Sequence, residues 1–431
     1  MKSIWQETAN KSSFQPLEKD IKTDVLIVGG GVAGVLCAYM LKTNGIDCVL
    51  VEADSICGGV TGNTTAKITV QHGLIYDKLI SKYNIETAGK YLKAQQTGFN
   101  WIAEKCKEID CNFEYRDSYV FSRNNSAKIE SEVNAYRRIG GEAEFCKTVD
   151  LPFDAVAVRV KNQAQFNPLK FCYSLAKEIS AYENTKVLEF FNGGAVTNRG
   201  KIYAQNIIMA THFPIINKHG AYFLKMYQHR SYVLALENAK LPNGMYVDEN
   251  LKGLSFREYD GKLLLGGGSH RTGKKGGAWQ ELEAFANKNY PHCHEVTRWA
   301  TQDCMTLDSI SYIGRYSRRT HNLYAATGFN KWGMTNAAVS AIILCDMIMG
   351  KTNEFAEVFS PSRSILHPQL AVNIAETTLN MLTPTVPRCS HLGCALKYNK
   401  AERSWDCACH GSRFTENGKL IENPATDDKK F

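Results

Sequence analysis

The chain has 431 residues, 44% hydrophobic and 22% charged, which excludes intrinsic disorder, a collagen-like repeat and a small disulfide scaffold. At roughly 150 residues per domain, the length suggests about three domains. Lys and Arg outnumber Asp and Glu by 51 to 43, a net charge of +8 that is mild and spread along the chain and so argues weakly for any nucleic-acid or membrane partner.

The N-terminal stretch has no apolar run able to serve as the core of a signal peptide. Residues 24–28 (DVLIV) form a continuous apolar run ending in glycines, the pattern of a buried parallel strand. Val32 to Lys42 reads as a helix stopped at Asn44-Gly45, and residues 48–52 (CVLVE) as the next strand. Between strand and helix, Gly29-Gly30-Gly31-Val32-Ala33-Gly34 fits G-x-G-x-x-G. Glycines there permit a tight turn and close approach of backbone to a pyrophosphate on the helix N-terminus. Glu52, 18 residues after Gly34, closes the second strand, where a carboxylate accepts hydrogen bonds from ribose hydroxyls. The loop itself does not decide between FAD and NAD.

Residues 77–110 and 126–139 read as amphipathic helices, and 202–210, 231–236, 262–265 and 323–326 as strands. The longest apolar stretch, Ala337 to Met349, is too short to span a bilayer and contains Asp346, so a buried helix is expected over 335–349. A cytoplasmic protein with reduced thiols follows as the expectation. Residues 351–387 carry a Ser/Pro stretch, an amphipathic helix around Leu370–Leu382, and TPTVPR, whose prolines mark a domain boundary.

The 14 cysteines divide by position. Ten are scattered between Cys37 and Cys345 and read as buried thiols; four lie within 21 residues, at Cys389, Cys394, Cys407 and Cys409, beside His391 and His410. Cys389-Ser-His391 and Cys407-Ala-Cys409-His410 each supply one Cys and one His. That set suits a Rieske [2Fe–2S] centre, with two thiolates on one iron and two imidazoles on the other. Four such ligands also suit zinc, although C-x-H is an uncommon zinc spacing and zinc leaves two cysteines unexplained.

With these motifs the chain resembles bacterial FAD-dependent oxidoreductases of the glycine oxidase/D-amino-acid oxidase superfamily with a C-terminal Rieske domain. The resemblance rests on the glycine loop, GGVTGNTTAKIT (58–69), IIMATHF (207–213), the segment 312–348 and the Cys/His cluster. It implies an α/β architecture: a Rossmann-like (GR2-type) FAD-binding domain with an interleaved α+β substrate domain, then a small all-β Rieske domain. The implied layout is residues 1–350 for the oxidoreductase, 351–383 for a linker with a helix and 384–431 for the Rieske domain. Within the first, FAD-binding segments fall at about 20–76, 150–215 and 305–350, and substrate-domain segments at about 77–149 and 216–304. The implied FAD contacts are Gly29, Gly31, Gly34, Glu52, Thr64, Thr65, Lys67, Val187, Gly328, Gly333 and Thr335. The implied cluster ligands are Cys389, His391, Cys407 and His410, with Cys394 and Cys409 as a disulfide clamping the ligand loops. Ser412 matches a serine that donates to a bridging sulfide in high-potential members, while Phe414 stands where those members carry a tyrosine; an intermediate potential is expected.

Amino-acid oxidases of this superfamily carry W-A-G-L-R ahead of the Y-I-G strand, and its Arg clamps the substrate carboxylate. Here the stretch is Trp299-Ala-Thr-Gln-Asp303, which would repel a carboxylate. Either the substrate is a cation such as an amine, or Lys331, Arg230 or Arg271 does the clamping. His229 and His270 are candidate bases. The function expected is oxidation of a small amine or amino-acid-like substrate by FAD, with electrons leaving singly through the cluster to an external protein or quinone. An NAD(P)H-linked reductase would need a second nucleotide loop, for which Gly266–Gly273 has the wrong spacing. A redox sensor and an oxidase of modified nucleosides in RNA are further alternatives.

Overall fold

The computed structural model describes residues 1–216, 219–384 and 387–430; Thr385-Val386 and Phe431, all within the expected C-terminal domain, lie outside them. The apolar run at the N-terminus becomes the strand Ile21–Val28, central in a parallel sheet. Lys201–Met209 pairs with it on one side (Val28 beside Met209) and Cys48–Val51 on the other (Val28 beside Val51), both parallel. Ala181–Tyr182 extends this sheet beyond Cys48–Val51; Leu323–Thr327 and then antiparallel Tyr312–Arg315 extend it the other way. Such a strand is covered on both faces, which is why it shows no polar alternation.

The helices Val32–Thr43 and Gly333–Ile348 pack together under this sheet and bury almost every residue. Ile85–Lys105 packs behind the second of them. Gly98 permits that approach, since a Cβ there would lie 2.9 Å from the Thr335 carbonyl oxygen. The stretch 77–110 is therefore two helices, Tyr76–Lys82 and Ile85–Lys105; the Asn84 side chain caps the second by accepting the Thr87 N–H at 2.7 Å.

A second, nine-stranded sheet runs His294–Thr306, Met226–Glu237, Lys262–Arg271, Ser255–Tyr259, Met245–Asp248, Glu114–Ser122, Val156–Gln165 and Lys67–Ile68, with Glu144–Cys146 also beside Val156–Gln165. Two of these strands link the expected segments across the two sheets. Lys67–Ile68 and Val156–Gln165 fall in segments assigned to FAD binding, but pair with each other in the second sheet. The helix Ile85–Lys105, assigned to the substrate domain, instead joins the core beneath the parallel sheet.

The C-terminal module is an antiparallel sheet of Leu396–Asn399, Ser404–Cys407, Arg413–Thr415 and Leu420–Glu422. The helix Pro368–Leu382 precedes it, with Pro368 in its first turn. This helix is seated by polar residues. Asn373 and Asn380 are buried, while Val372, Ile374, Leu379 and Leu382 are exposed. The Asn373 amide donates to the Leu224 carbonyl, and the Asn380 carbonyl accepts the Ala395 N–H. Among the described residues no helix is long and apolar enough to cross a membrane.

Candidate functional site

The glycine loop sits at the carboxyl end of the central strand, where the parallel sheet opens. Gly29 has φ +108°, and a Cβ on it would lie 2.6 Å from the Ala210 carbonyl oxygen. A Cβ on Gly34 would meet the Gly29 carbonyl oxygen at 1.9 Å, so Gly34 serves strand–helix packing beneath the loop and does not face the cavity. Gly31 is bare toward the cavity; the nearest atom to a Cβ there is Thr61 Oγ1 at 3.4 Å. Thr61, which sequence reasoning missed, also accepts the Val32 N–H at 2.9 Å. Glu52 accepts the Gly30 N–H at 2.7 Å and the Asp54 N–H at 3.0 Å. Burial pushes its carboxyl pKa up, against those two bonds.

A cavity of about 620 Å³ runs from this loop to the turn at Gly328–Gly333. Gly29, Gly31, Glu52, Thr64, Val187, Gly328 and Gly333 all line it. An elongated space flanked by a glycine face, a helix N-terminus and a carboxylate fits a dinucleotide such as FAD. Thr335, like Gly34, lines neither this cavity nor the smaller one beside it. It is buried and bonds His72 Nε2 at 3.0 Å, because two residues along a helix turn a side chain by about 200° from Gly333.

A second cavity of about 200 Å³ adjoins the first, and Thr64, Asp303, Asn330, Lys331, Gly333 and Met334 line both. Thr65 and Lys67 face this smaller space. Burial, with the Arg257 guanidinium nearby, pushes Lys67 down to about 7. Asn330 and Lys331 both hold left-handed conformations (φ +52° and +74°). The turn is pinned to the strand His294–Thr306, since Asn330 Oδ1 accepts the Thr306 N–H at 2.8 Å and the Asn330 N–H donates to the Cys304 carbonyl at 3.0 Å. Lys331 Nζ donates to Ser231 Oγ at 3.0 Å and to the Leu251 carbonyl at 3.3 Å. Burial lowers its pKa and raises that of Asp303; each charge partly offsets the shift of the other. The cavity wall thus carries an acid and a base of opposite sign. His212, not singled out from sequence, lines the larger cavity; its buried Nε2 has no hydrogen-bond partner among the described residues, and burial lowers its pKa.

His229 faces neither cavity. Burial, then the Lys331 charge, pushes it down to about 2, which makes it a poor base. His270 is held by Tyr232 Oη and the Arg271 carbonyl, both at 2.9 Å. Arg230 and Arg271 do not reach substrate space either. Alternation along its strand turns Arg230, beside Gln302, to the far face of the second sheet; Arg271 is the last residue of its strand, and both side chains bind the small module. Arg230, 1% exposed, donates from Nε to Glu402 Oε1 at 3.0 Å and from Nη1 to Glu422 Oε1 at 3.1 Å. Arg271 donates to the Ala408 carbonyl at 3.1 Å, the Cys409 carbonyl at 3.2 Å and Asn373 Oδ1 at 3.0 Å.

In the small module Cys389, Cys407 and His410 are buried. The His391 and His410 rings stand perpendicular, 5.0 Å apart. Among the described residues neither nitrogen of His410 has a hydrogen-bond partner, and burial pushes its pKa down to about 3, leaving a neutral imidazole. The neighbouring Cys407 thiol holds Cys389 at about 7, helped by the His391 N–H. Cys394 and Cys409 form a disulfide (Cα–Cα 6.7 Å) across the two loops. The sulfurs of Cys394, Cys407 and Cys409 lie within 4.8 Å of one another, but two of them are joined and supply no thiolate. Two thiols and two imidazoles on disulfide-clamped loops fit a [2Fe–2S] cluster, and the disulfide accounts for the cysteines a zinc site would leave over. Ser412 Oγ accepts the Ala425 N–H at 2.9 Å, and Phe414 is fully buried.

The ligand loop rests directly on the second sheet. Gln228 Nε2 donates to the His410 carbonyl at 3.0 Å, and Gln302 Nε2 to the Gly411 carbonyl at 2.8 Å. Asp303, the next residue, lines the cavities on the opposite face. The remaining glycine run, Gly266–Gly268, lies inside the strand Lys262–Arg271; a Cβ on Gly268 would meet the Ala278 carbonyl oxygen at 2.1 Å. It is a packing contact between strand and helix, not a second nucleotide loop.

Comparison with known proteins agrees with both halves. Residues 24–347 match the family described as FAD dependent oxidoreductase, and residues 351–430 match the Rieske [2Fe-2S] domain. The chain is 34% identical to the putative Rieske 2Fe-2S iron-sulfur protein YhfW of Bacillus subtilis (strain 168), over 98% of this chain and 96% of that protein. It is 22% identical to the gamma-glutamylputrescine oxidoreductase of Escherichia coli (strain K12), over 82% of this chain and 90% of the other. Among solved structures, glycine oxidase from Geobacillus kaustophilus superposes with a TM-score of 0.67 at 17% identity, covering 80% of this chain and 99% of that one.

Proposed function

Because the chain belongs to the FAD dependent oxidoreductase family and carries a Rieske [2Fe–2S] domain, we propose that it oxidises a small amine or amino-acid-like substrate beside Asp303 and Lys331 and passes electrons singly to an external acceptor. When bound, FAD supplies a two-electron acceptor and the cluster a one-electron carrier.

The protein's own groups do the rest. The Asp303 carboxylate attracts and orients a substrate ammonium. Lys331 Nζ, already positioned by Ser231, can hold a carboxylate in the role the superfamily gives to an Arg. Lys67 Nζ faces the same small cavity and, at about 7, can take up the ammonium proton. The observation that carries the reading is the strand His294–Thr306. It sets Asp303 against the cavities and Gln302 against the cluster loop, so one strand separates the substrate space from the iron–sulfur site by its own thickness.

Anaerobic mixing of the holoprotein with separate amines, amino acids, NADH and NADPH tests the proposal. Flavin bleaching by an amine or amino acid, followed by growth of the reduced-cluster EPR signal, is expected. Bleaching by a nicotinamide alone, with no response to any amine or amino acid, would overturn it.

A further inference from the structure

The larger cavity is not closed by the oxidoreductase domain alone. Part of its lining is the last stretch of the small module, where residues from Lys419 to Asp428 line the same space as the glycine loop. This segment is anchored along its length. Glu422 lines the cavity and also receives Arg230 Nη1 at 3.1 Å. Asn423 Nδ2 donates to the Thr211 and Phe213 carbonyls, the latter at 2.9 Å, in the loop that follows the parallel strand Lys201–Met209. Lys186, which lines the cavity beside Val187, donates to the Thr426 carbonyl.

We propose that the segment Lys419–Asp428 of the iron–sulfur module is part of the dinucleotide site, so that FAD is held between the two modules. Residues of one domain then determine retention of the other domain's cofactor. A ligand that binds only the docked arrangement stabilises docking by the same free energy with which docking strengthens its binding. FAD occupancy and seating of the cluster module are therefore linked, whatever the substrate.

The test uses the full chain with its cluster intact and its flavin removed, compared by amide hydrogen exchange with and without added FAD. Slower exchange at 419–428 in the presence of FAD is expected, together with protection of the glycine loop. Protection of the glycine loop with none at 419–428 would overturn the proposal. The variant Asn423→Ala loses two bonds to the Thr211–Phe213 loop and should bind FAD about tenfold more weakly by fluorescence titration, with an unaltered cluster EPR spectrum. Unchanged FAD affinity would count against the segment's role.

Discussion

Asp303 and Lys331 carry opposite charges in a shared wall, and each makes the other easier to keep ionised. Removing either should therefore change which substrates bind. Asp303→Asn should raise KM for a cationic substrate by about tenfold or more, while Lys331→Met should do so only for substrates with a carboxylate. Equal effects of both variants on a simple amine would contradict that division. Lys67 makes a separate prediction. Its pKa is lowered to about 7, so the fraction able to accept a proton rises as pH increases through that value. The rate of flavin reduction by substrate, followed by stopped flow, should rise with pH across the same range, and Lys67→Met should flatten that limb. At this scale the sequence was informative where a residue's partners are adjacent in the chain. The cysteine and histidine ligands announce themselves by local spacing. Arg230 and Arg271 looked like carboxylate clamps because residue type is visible in a sequence and the face it occupies is not. In the folded chain both are consumed by contacts more than 100 residues away.

The strand–loop–helix from Ile21 to Thr43 was legible because each of its signals is local: an apolar run, glycines, then a helical period. The nine-stranded sheet was far less so. Its strands Glu114–Ser122, Val156–Gln165 and His294–Thr306 pair across large gaps in the chain, and nothing in a local pattern states which strand lies beside which. The helix Pro368–Leu382 shows a further limit. Its periodic apolar residues implied a buried apolar face, but the buried residues are Asn373 and Asn380. Amide side chains can satisfy polar groups that Leu and Val cannot: Asn373 meets the Leu224 carbonyl and the Arg271 guanidinium, and Asn380 donates to the Glu376 carbonyl. The strand His294–Thr306 has the opposite character. Once its pairing is known, simple alternation accounts for Gln302 facing the cluster loop and Asp303 facing the cavities.

For the whole molecule, the question is whether the small module is tethered or fixed. A connector of some thirty residues would allow a swinging domain, yet the contacts argue for a fixed one. Arg230 and Arg413 share Glu402 and Glu422 across the boundary, and Asp406 beneath them accepts Arg413 Nε at 3.0 Å and Ser404 Oγ at 2.8 Å. Such a buried array adds little net stability over an apolar substitute of the same shape, but loss of one member leaves charge buried without its partner, at a cost of about 3 kcal/mol. Arg413 remains to hold both carboxylates in Arg230→Met, so the fold should survive while the docking weakens. Urea unfolding followed by flavin fluorescence and by the visible circular dichroism of the cluster should then show flavin release at a lower urea concentration than in the unaltered protein. An Arg230 that clamped substrate would give the reverse pattern, a raised KM with an unchanged unfolding curve. The two measurements on one variant therefore separate a docking residue from a substrate residue.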